Sequence, residues 1–124
     1  MANKIVHVEI NTQRPKKLLT FYEDVFGWKS EKIPKMQCWT AVAAKRDKKG
    51  TPTERGVVNS SIMKMPGRKG MGIMIEVSNI KSHLRKMEAH GGKSLGKPMD
   101  MGEMGWYAWA KDPEGNPITL WQQK

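Results

Sequence analysis

Two alternating segments of the chain carry side chains that could bind a metal or move a proton. His7 and Glu9 are two positions apart in segment 4–12, and Glu76 lies in segment 72–77. Because alternate residues of a strand point to the same side, His7 and Glu9 share a face. One imidazole and two carboxylates are similar to the facial triads that hold divalent metals, which makes these three residues a candidate metal site. The alternative is structural, because His7 and Glu9 can also satisfy each other.

A strand and a helix are predicted to position the first two of these residues. Apolar and polar residues alternate through segment 4–12, which is typical of a half-buried strand. Pro15 suits the first turn of a following helix, Asn11 or Thr12 can cap it, and Gly27 ends it. The apolar face of this helix recurs at three- and four-residue steps and comprises Leu18, Leu19, Tyr22, Val25 and Phe26.

The same pattern occurs twice in the chain. Further strands are predicted at 37–44 and 57–65, after which the strand at 72–77 leads into a helix that ends at two glycines. Sliding the chain by 65 positions, which lays His7 over Gly72, matches both the strand alternation and the helix phase. We therefore predict two copies of one strand, helix, strands unit.

This overlay predicts which residues line one enclosed side of the fold. Their apolar neighbours would pack against the two helices, so the remaining residues of each first strand point the other way. Two curved half-sheets would then enclose a cavity between them. The residues predicted to share this face are His7, Glu9, Asn11, Gly72, Met74 and Glu76.

The sequence from 105 to 121 predicts a β-hairpin that closes the sheet. A Pro, a Gly and an Asn within 112–116 favour a tight reversal between two aromatic-rich runs. In the final run Thr119 and Trp121 alternate with apolar residues, so they can face the enclosed side. Residues 95–105, which are rich in Gly and Met, are predicted to be a loop.

Aromatic and Met side chains are the candidate apolar contacts of a ligand. The chain has 5 Trp and 10 Met, and flat aromatic rings bind planar or cationic small molecules by stacking. In the first strand of the hairpin, either Trp106 with Ala108 or Tyr107 with Trp109 faces the cavity. No residue is assigned a catalytic role, and the predicted ligand-binding residues are His7, Glu9, Trp39, Asn59, Met63, Met74, Glu76, Trp106, Thr119 and Trp121.

Length and composition narrow the class of protein. At 124 residues the chain fits a single domain, and no apolar run approaches the ~20 residues that cross a bilayer, so we expect a cytoplasmic protein without a membrane partner. Cys38 is the single cysteine, which excludes an internal disulfide and a thiolate metal cluster and favours a small buried residue. The net charge of +10 would suit nucleic acid, but the Lys and Arg residues are scattered and not interleaved with aromatics, which argues against that partner.

Five motifs, taken in order, are His7-Val8-Glu9-Ile10, Phe21 to Trp28, Ile75-Glu76-Val77, Gly91-Gly92-Lys93 and Asp112 to Asn116. Together they resemble the vicinal oxygen chelate superfamily, which includes glyoxalase I, bleomycin-resistance proteins and extradiol dioxygenases. The resemblance implies an α+β fold in which paired βαβββ modules form a cup-shaped mixed sheet with helices on the outside, often as a homodimer. A single domain, 1–124, would contain module 1 at about 4–66 and module 2 at about 71–122.

The resemblance also implies where a metal would bind. Glyoxalase I-like members hold a divalent metal through His, Glu or Gln side chains of equivalent strands. His7 matches one such position, but the others fall on Gly72, on Thr119 and near 59–61, whose residue types are poor ligands. We therefore expect a glyoxalase/bleomycin-resistance-like protein that binds a small organic molecule in an aromatic, Met-lined cup without a tightly bound metal. The alternatives are a metal-dependent lyase or dioxygenase that uses the His and two Glu named above, and a basic nucleic-acid-associated module.

Overall fold

The structure, a computed structural model, describes residues 2–65, 67–68 and 70–124. The chain divides into two compact units: the first is His7–Met71, and the second is residues 2–6 with Gly72–Lys124. Pro66, the predicted end of module 1, lies outside the described residues. The elements are β1 (Ile5–Asn11), α1 (Pro15–Phe26), β2 (Lys29–Lys32), β3 (Cys38–Val42), β4 (Asn59–Met63), β5 (Gly70–Glu76), α2 (Ile80–Ala89), β6 (Lys93–Ser94), β7 (Met99–Asp100), β8 (Trp106–Lys111) and β9 (Pro117–Gln122).

The first unit is a mixed sheet with α1 packed on one side. Its strands lie in the order β2, β3, β4, β1, with β1 parallel to β4 and the other neighbours antiparallel. Alternation along the strands turns Ile10 and Ile62 toward α1, where they bury Leu19 in a shared core. Leu18, Tyr22, Trp28 and Trp39 pack around that core.

The two ends of α1 follow different rules. Pro15 occupies the first turn as predicted, and Gly27 ends the helix with φ of +72°, a left-handed conformation that glycine adopts without a side-chain clash. The predicted cap by Asn11 or Thr12 is wrong, because Arg14 is the N-cap and caps no amide with its side chain. The Thr12 hydroxyl instead accepts from the Arg14 N–H at 2.9 Å, and Thr12 lies two residues before the N-cap position.

The second unit repeats this plan. Strand β5 is parallel to β9, β8 is antiparallel to β9, and the short strands β6 and β7 both pair with β8. Asn79 caps α2 by accepting from the Ser82 N–H at 2.9 Å. The core between α2 and this sheet consists of Val77, Ile80, Leu84, Ala108, Ala110 and Leu120.

The predicted hairpin between β8 and β9 is confirmed. The Asp112 N–H donates to the Asn116 carbonyl at 3.0 Å, and Gly115 has φ of +86°. The Asp112 carboxylate accepts from the Asn116 side chain and from the Asn116 and Glu114 N–H groups, which lowers the pKa of Asp112. A self-contained turn of this kind sets the register in which β9 meets β8.

The predicted α+β class is confirmed, since each unit has the order strand, helix, strands. The structure adds strand β2, which the sequence did not predict, and it corrects the loop at 95–105, which contains β7 and a 3₁₀ turn, Gly102–Met104. No helix in the described part of the chain is long and apolar enough to span a membrane.

Candidate functional site

Each sheet has a face that points away from its own helix, which we call the distal face. Strand alternation places His7, Glu9 and Asn11 on the distal face of the first unit, as predicted. Because β1 and β4 pair in parallel register, their neighbours on β4 are Asn59, Ser61 and Met63. Most of this face is polar, although Glu9, Asn11, Ser61 and Met63 are all buried.

His7 is held by a hydroxyl group. Its Nε2 lies 2.9 Å from Ser61 Oγ, whereas the structural alternative in the sequence analysis was a hydrogen bond with Glu9. Burial lowers the pKa of His7 from 6.5 to about 4, because removing the imidazole from water disfavours its charged form. At neutral pH His7 is therefore an uncharged imidazole that can donate or accept a proton in a hydrogen bond.

Glu9 has a buried cationic neighbour that the sequence reading missed. Its Oε1 lies 4.0 Å from an Arg68 guanidinium nitrogen, and the two residues are 3% and 6% exposed. Burial lowers the pKa of Arg68, and the Glu9 carboxylate acts in the opposite direction. Arg68 looked like one of many scattered cations, yet a carboxylate predicted on a buried strand face needs a counter-charge, which was the available signal.

Cys38 lies on the same distal face, in register with Met63. Burial and the Glu9 charge raise the pKa of its thiol to about 11, although a hydrogen bond with Ser61 acts against this. The thiol is therefore protonated at neutral pH, and a protonated thiol is a weak nucleophile. This agrees with its expected role as a small buried residue.

The distal face of the second unit is aromatic and apolar. Met74 and Trp109 flank Thr119 from the two neighbouring strands, and Tyr107 lies opposite Trp121. Met74, Trp109 and Thr119 are buried, the last of them completely, although none belongs to the core against α2. The Trp109 indole N–H is buried and has no hydrogen-bond partner among the described residues.

Two polar groups at the edge of this face are already engaged. The Trp121 indole N–H donates to the Met104 carbonyl. The Glu76 carboxylate accepts from the Gln123 side chain at 2.7 Å. The hydrogen bond fixes the orientation of the Trp121 ring. The Glu76 carboxylate is held by the uncharged Gln123 amide.

Two predicted site residues lie on the wrong side of their sheets. Trp39 packs against the α1 core, and Trp106 packs against the α2 core. Of the two pairs left open by the sequence, Tyr107 with Trp109 is the one on the distal face. Both errors have one cause. Alternation shows which residues of a strand share a side, but which of the two sides faces the helix depends on how β3 pairs with β4 and β8 with β9.

The residues at the implied metal-ligand positions do not fit a metal. His7 is bound to Ser61, and Thr119 has a neutral hydroxyl, which is a poor ligand. At Gly72 even a Cβ atom would lie 2.8 Å from the Pro117 carbonyl oxygen and 2.9 Å from its Cβ, so a ligating side chain has no room. Over residues 2–65, 67–68 and 70–124 no three His, Cys, Asp or Glu side chains form a group that could hold an ion.

Comparison with known proteins identifies the fold. A sequence profile of the Glyoxalase/Bleomycin resistance protein/Dioxygenase superfamily matches residues 4–120, whereas no curated protein sequence matches the chain. A hypothetical protein from Bacillus halodurans C-125 is similar with a TM-score of 0.64 and 17% identity, over 100% of this chain and 96% of that chain.

Two further solved structures extend the comparison. A glyoxalase/bleomycin resistance protein/dioxygenase superfamily member from Vibrio splendidus 12B01 has a TM-score of 0.62 and 14% identity, over 98% of this chain and 100% of that chain. A variant of methylmalonyl-CoA epimerase from Streptomyces coelicolor, in complex with 2-nitronate-propionyl-CoA, has a TM-score of 0.60 and 15% identity, over 99% and 96%. At these identities the similarity establishes the fold and leaves the activity open.

Proposed function

Because this chain belongs to the Glyoxalase/Bleomycin resistance protein/Dioxygenase superfamily, we propose that it binds a small organic molecule, without a tightly bound metal. The observation that carries the proposal is the buried Trp109 indole N–H, which has no hydrogen-bond partner among the described residues. A buried donor without an acceptor costs about 1 to 3 kcal/mol. A bound molecule that supplies an acceptor removes that cost.

The distal face of the second unit fits a flat ligand. Tyr107, Trp109 and Trp121 offer aromatic rings for stacking, and Met74 has an unbranched side chain that adapts to the shape of what it contacts. Trp109 is buried in this face, and its indole N–H is a directed donor among apolar neighbours. These features favour a planar molecule with a hydrogen-bond acceptor on its edge.

The distal face of the first unit, considered by itself, carries hydrogen-bonding groups of another kind. His7 is a neutral imidazole bound to Ser61, and the Glu9 charge is balanced by Arg68. Such groups suit a polar part of an organic molecule better than a free cation. Thioesters are one class to test, because the epimerase of similar fold was solved with a CoA derivative.

The metal-dependent alternative, a lyase or dioxygenase that uses His7, Glu9 and Glu76, has less support. Glu9 lies beside Arg68, and Glu76 accepts from Gln123. Protein purified without chelators should contain much less than one equivalent of Ni, Zn, Mn or Fe by elemental analysis. Stoichiometric metal that is lost in the His7→Ala variant would contradict the proposal.

A ligand-observed NMR screen of planar aromatic, cationic and thioester compounds tests the binding proposal directly. Trp109→Phe keeps a ring but removes the indole donor, so we expect it to weaken a hit by about tenfold, the equivalent of one hydrogen bond. Trp28→Phe is the matched control, because Trp28 stacks on Tyr22 against the α1 core. Equal losses of affinity in both variants, or compounds that bind Trp109→Phe as tightly as the parent chain, would overturn the assignment.

The proposal includes self-association and location. We propose that the protein is cytoplasmic and forms a homodimer. The exposed apolar side chains of Phe21, Val25 and Phe26 on α1 support the dimer. Sedimentation velocity should give the mass of two chains, and Phe26→Ser should shift the equilibrium toward one. The nucleic-acid alternative predicts binding to duplex DNA that weakens steeply with salt, and we expect no such binding.

A further inference from the structure

A groove in the second unit lies on the opposite side of the sheet from Trp109. Its volume is about 760 Å³, within the range of roughly 300 to 1,000 Å³ typical of small-molecule sites. It is lined by the start of α2, by the segment between β6 and β7, and by the ends of β8 and β9. The lining residues are Asn79, Ile80, Lys81, Lys97, Pro98, Trp106 and Gln122.

The floor of this groove suits a flat ring. Trp106 is half-buried, with its inner side packed against the α2 core. Trp106 lines the groove, and the Lys124 ammonium lies 4.7 Å from the centroid of its ring, so a further cation lies next to the groove. Ile80 and Pro98 also belong to the lining residues and add apolar atoms to the groove.

The polar groups of the groove favour an anion. Lys81 and Lys97 are exposed cations, and no carboxylate belongs to the lining residues. Gln122 Oε1 already accepts from the Ile80 N–H at 2.9 Å, so its amide nitrogen is the atom that can donate to a ligand. The nearby Asp100 carboxylate is engaged by Lys124 rather than by the two lining lysines.

From this arrangement we propose a second binding site, in which a small aromatic anion places its ring against Trp106 and Pro98 and its negative group between Lys81 and Lys97. The site uses the face of the sheet that carries α2, so it is independent of the ligand proposed for the distal face of the second unit. The chemical class is a flat ring that bears one carboxylate, sulfonate or phosphate.

The test is an NMR titration of the full chain with 2-naphthoate and with its neutral isostere, 2-naphthamide. The Trp106 indole signal is identified by its loss in Trp106→Phe. We expect naphthoate to shift this signal and the amides of Ile80 to Ser82 saturably, and to bind at least fivefold more tightly than naphthamide. Equal affinity for both probes would overturn the proposal.

Matched variants separate the site from the general positive charge of the chain. The double variant Lys81→Gln with Lys97→Gln should weaken naphthoate binding by about tenfold, because each exposed charge pair contributes a few-fold. The double variant Lys48→Gln with Lys49→Gln removes the same charge from a loop of the first unit and should leave the affinity unchanged. An equal loss of affinity in both double variants would mean that naphthoate binding depends on the net charge of the chain and would refute the site.

Discussion

The two units share an order of elements but differ on their distal faces. In each, the first strand pairs in parallel with the last, and the core against the helix is aliphatic: Ile10, Leu19 and Ile62 in the first unit, Leu84 and Leu120 in the second. The strand pairs also correspond, so the pair Glu9 and Ser61 occupies the place that Met74 and Thr119 occupy in the second unit.

What differs is the chemistry carried at these matched positions. The first unit has an imidazole at His7 and a buried ion pair, whereas the second has Gly72 and a cluster of aromatic and Met side chains. The helix-side residues must be apolar for either unit to fold, and the distal residues are not under that constraint. Membership of the superfamily therefore explains the helix-side cores and leaves the function to be read from the distal faces.

The ion pair of the first unit offers the largest test of this difference. Arg68→Met removes the cation beside a carboxylate that is 3% exposed, and breaking a buried pair on one side destabilises a protein by about 3 to 5 kcal/mol. Urea unfolding followed by circular dichroism measures the change. Arg55→Met, an exposed position in the same unit, should change stability little.

A double variant sharpens that result. Glu9→Gln combined with Arg68→Met should recover part of the loss, because no charge then remains buried without its partner. If the double variant is as unstable as Arg68→Met alone, the ion pair does not explain the loss and Arg68 acts through packing.

The helix-side cores should respond alike in the two units. Ile62 and Ile80 are each 1% exposed, one in each core. Ile62→Ala and Ile80→Ala should each lower the free energy of unfolding by about 2 to 5 kcal/mol, since each leaves a cavity among aliphatic side chains. If one of the two variants lost less than about 1 kcal/mol of unfolding free energy, the two cores would not be equivalent, because that core would contribute little to stability.

The pH dependence of stability tests His7, which can titrate, whereas its counterpart Gly72 in the second unit cannot. Because burial lowers the pKa of His7 from 6.5 to about 4, the unfolded chain binds the proton first as the pH falls. Stability should therefore decrease between pH 6.5 and 4, by about 3 kcal/mol for this group, and level off below. The contribution of His7 is the difference between the unfolding free energies of the parent chain and of His7→Gln at each pH. Parallel pH profiles for the two proteins would contradict the prediction.

A smaller effect is expected at Gly72. A Cβ atom there would lie 2.8 Å from a backbone oxygen of Pro117, and backbone moves aside less readily than a side chain. Gly72→Ala should reduce stability by about 1 to 3 kcal/mol, as overpacking does. A neutral result in thermal unfolding would mean that β5 and β9 can separate at this point, and the argument against a ligating residue at position 72 would then fail.

The strand faces and the repeat could be predicted from the sequence because both rest on local periodicity. His7, Glu9 and Asn11 lie together as predicted, and the overlay of Leu19 on Leu84 pairs two residues that occupy equivalent places in the two helix-side cores. The hairpin at Asp112 was also predictable, since its turn is held by its own side chain and glycine.

Other features depend on contacts between distant parts of the chain. The sides taken by Trp39 and Trp106 follow from pairing registers, which a single strand does not encode. The partner of Glu9 had to be one of 22 Lys and Arg residues, and only the fold brings Arg68 to it. Strand β2 has the sequence Lys-Ser-Glu-Lys, which shows no apolar alternation and forms a strand because β3 offers it a pairing edge.

The smallest test compares two buried hydroxyl groups at matching positions, Ser61 on β4 and Thr119 on β9. Ser61→Ala should reduce stability by about 1 to 2 kcal/mol, because this hydroxyl bonds to both His7 and Cys38, and Thr119→Val by about 1 kcal/mol. The Ser61 change carries a second readout, because Ser61 lies 2.9 Å from His7 Nε2. Since burial is what lowers the pKa of His7, the imidazole should still titrate near pH 4 by NMR after the hydroxyl is removed. A return of its pKa toward 6.5 would mean that Ser61, rather than exclusion from water, keeps His7 neutral, and the polar distal face would then depend on one hydroxyl.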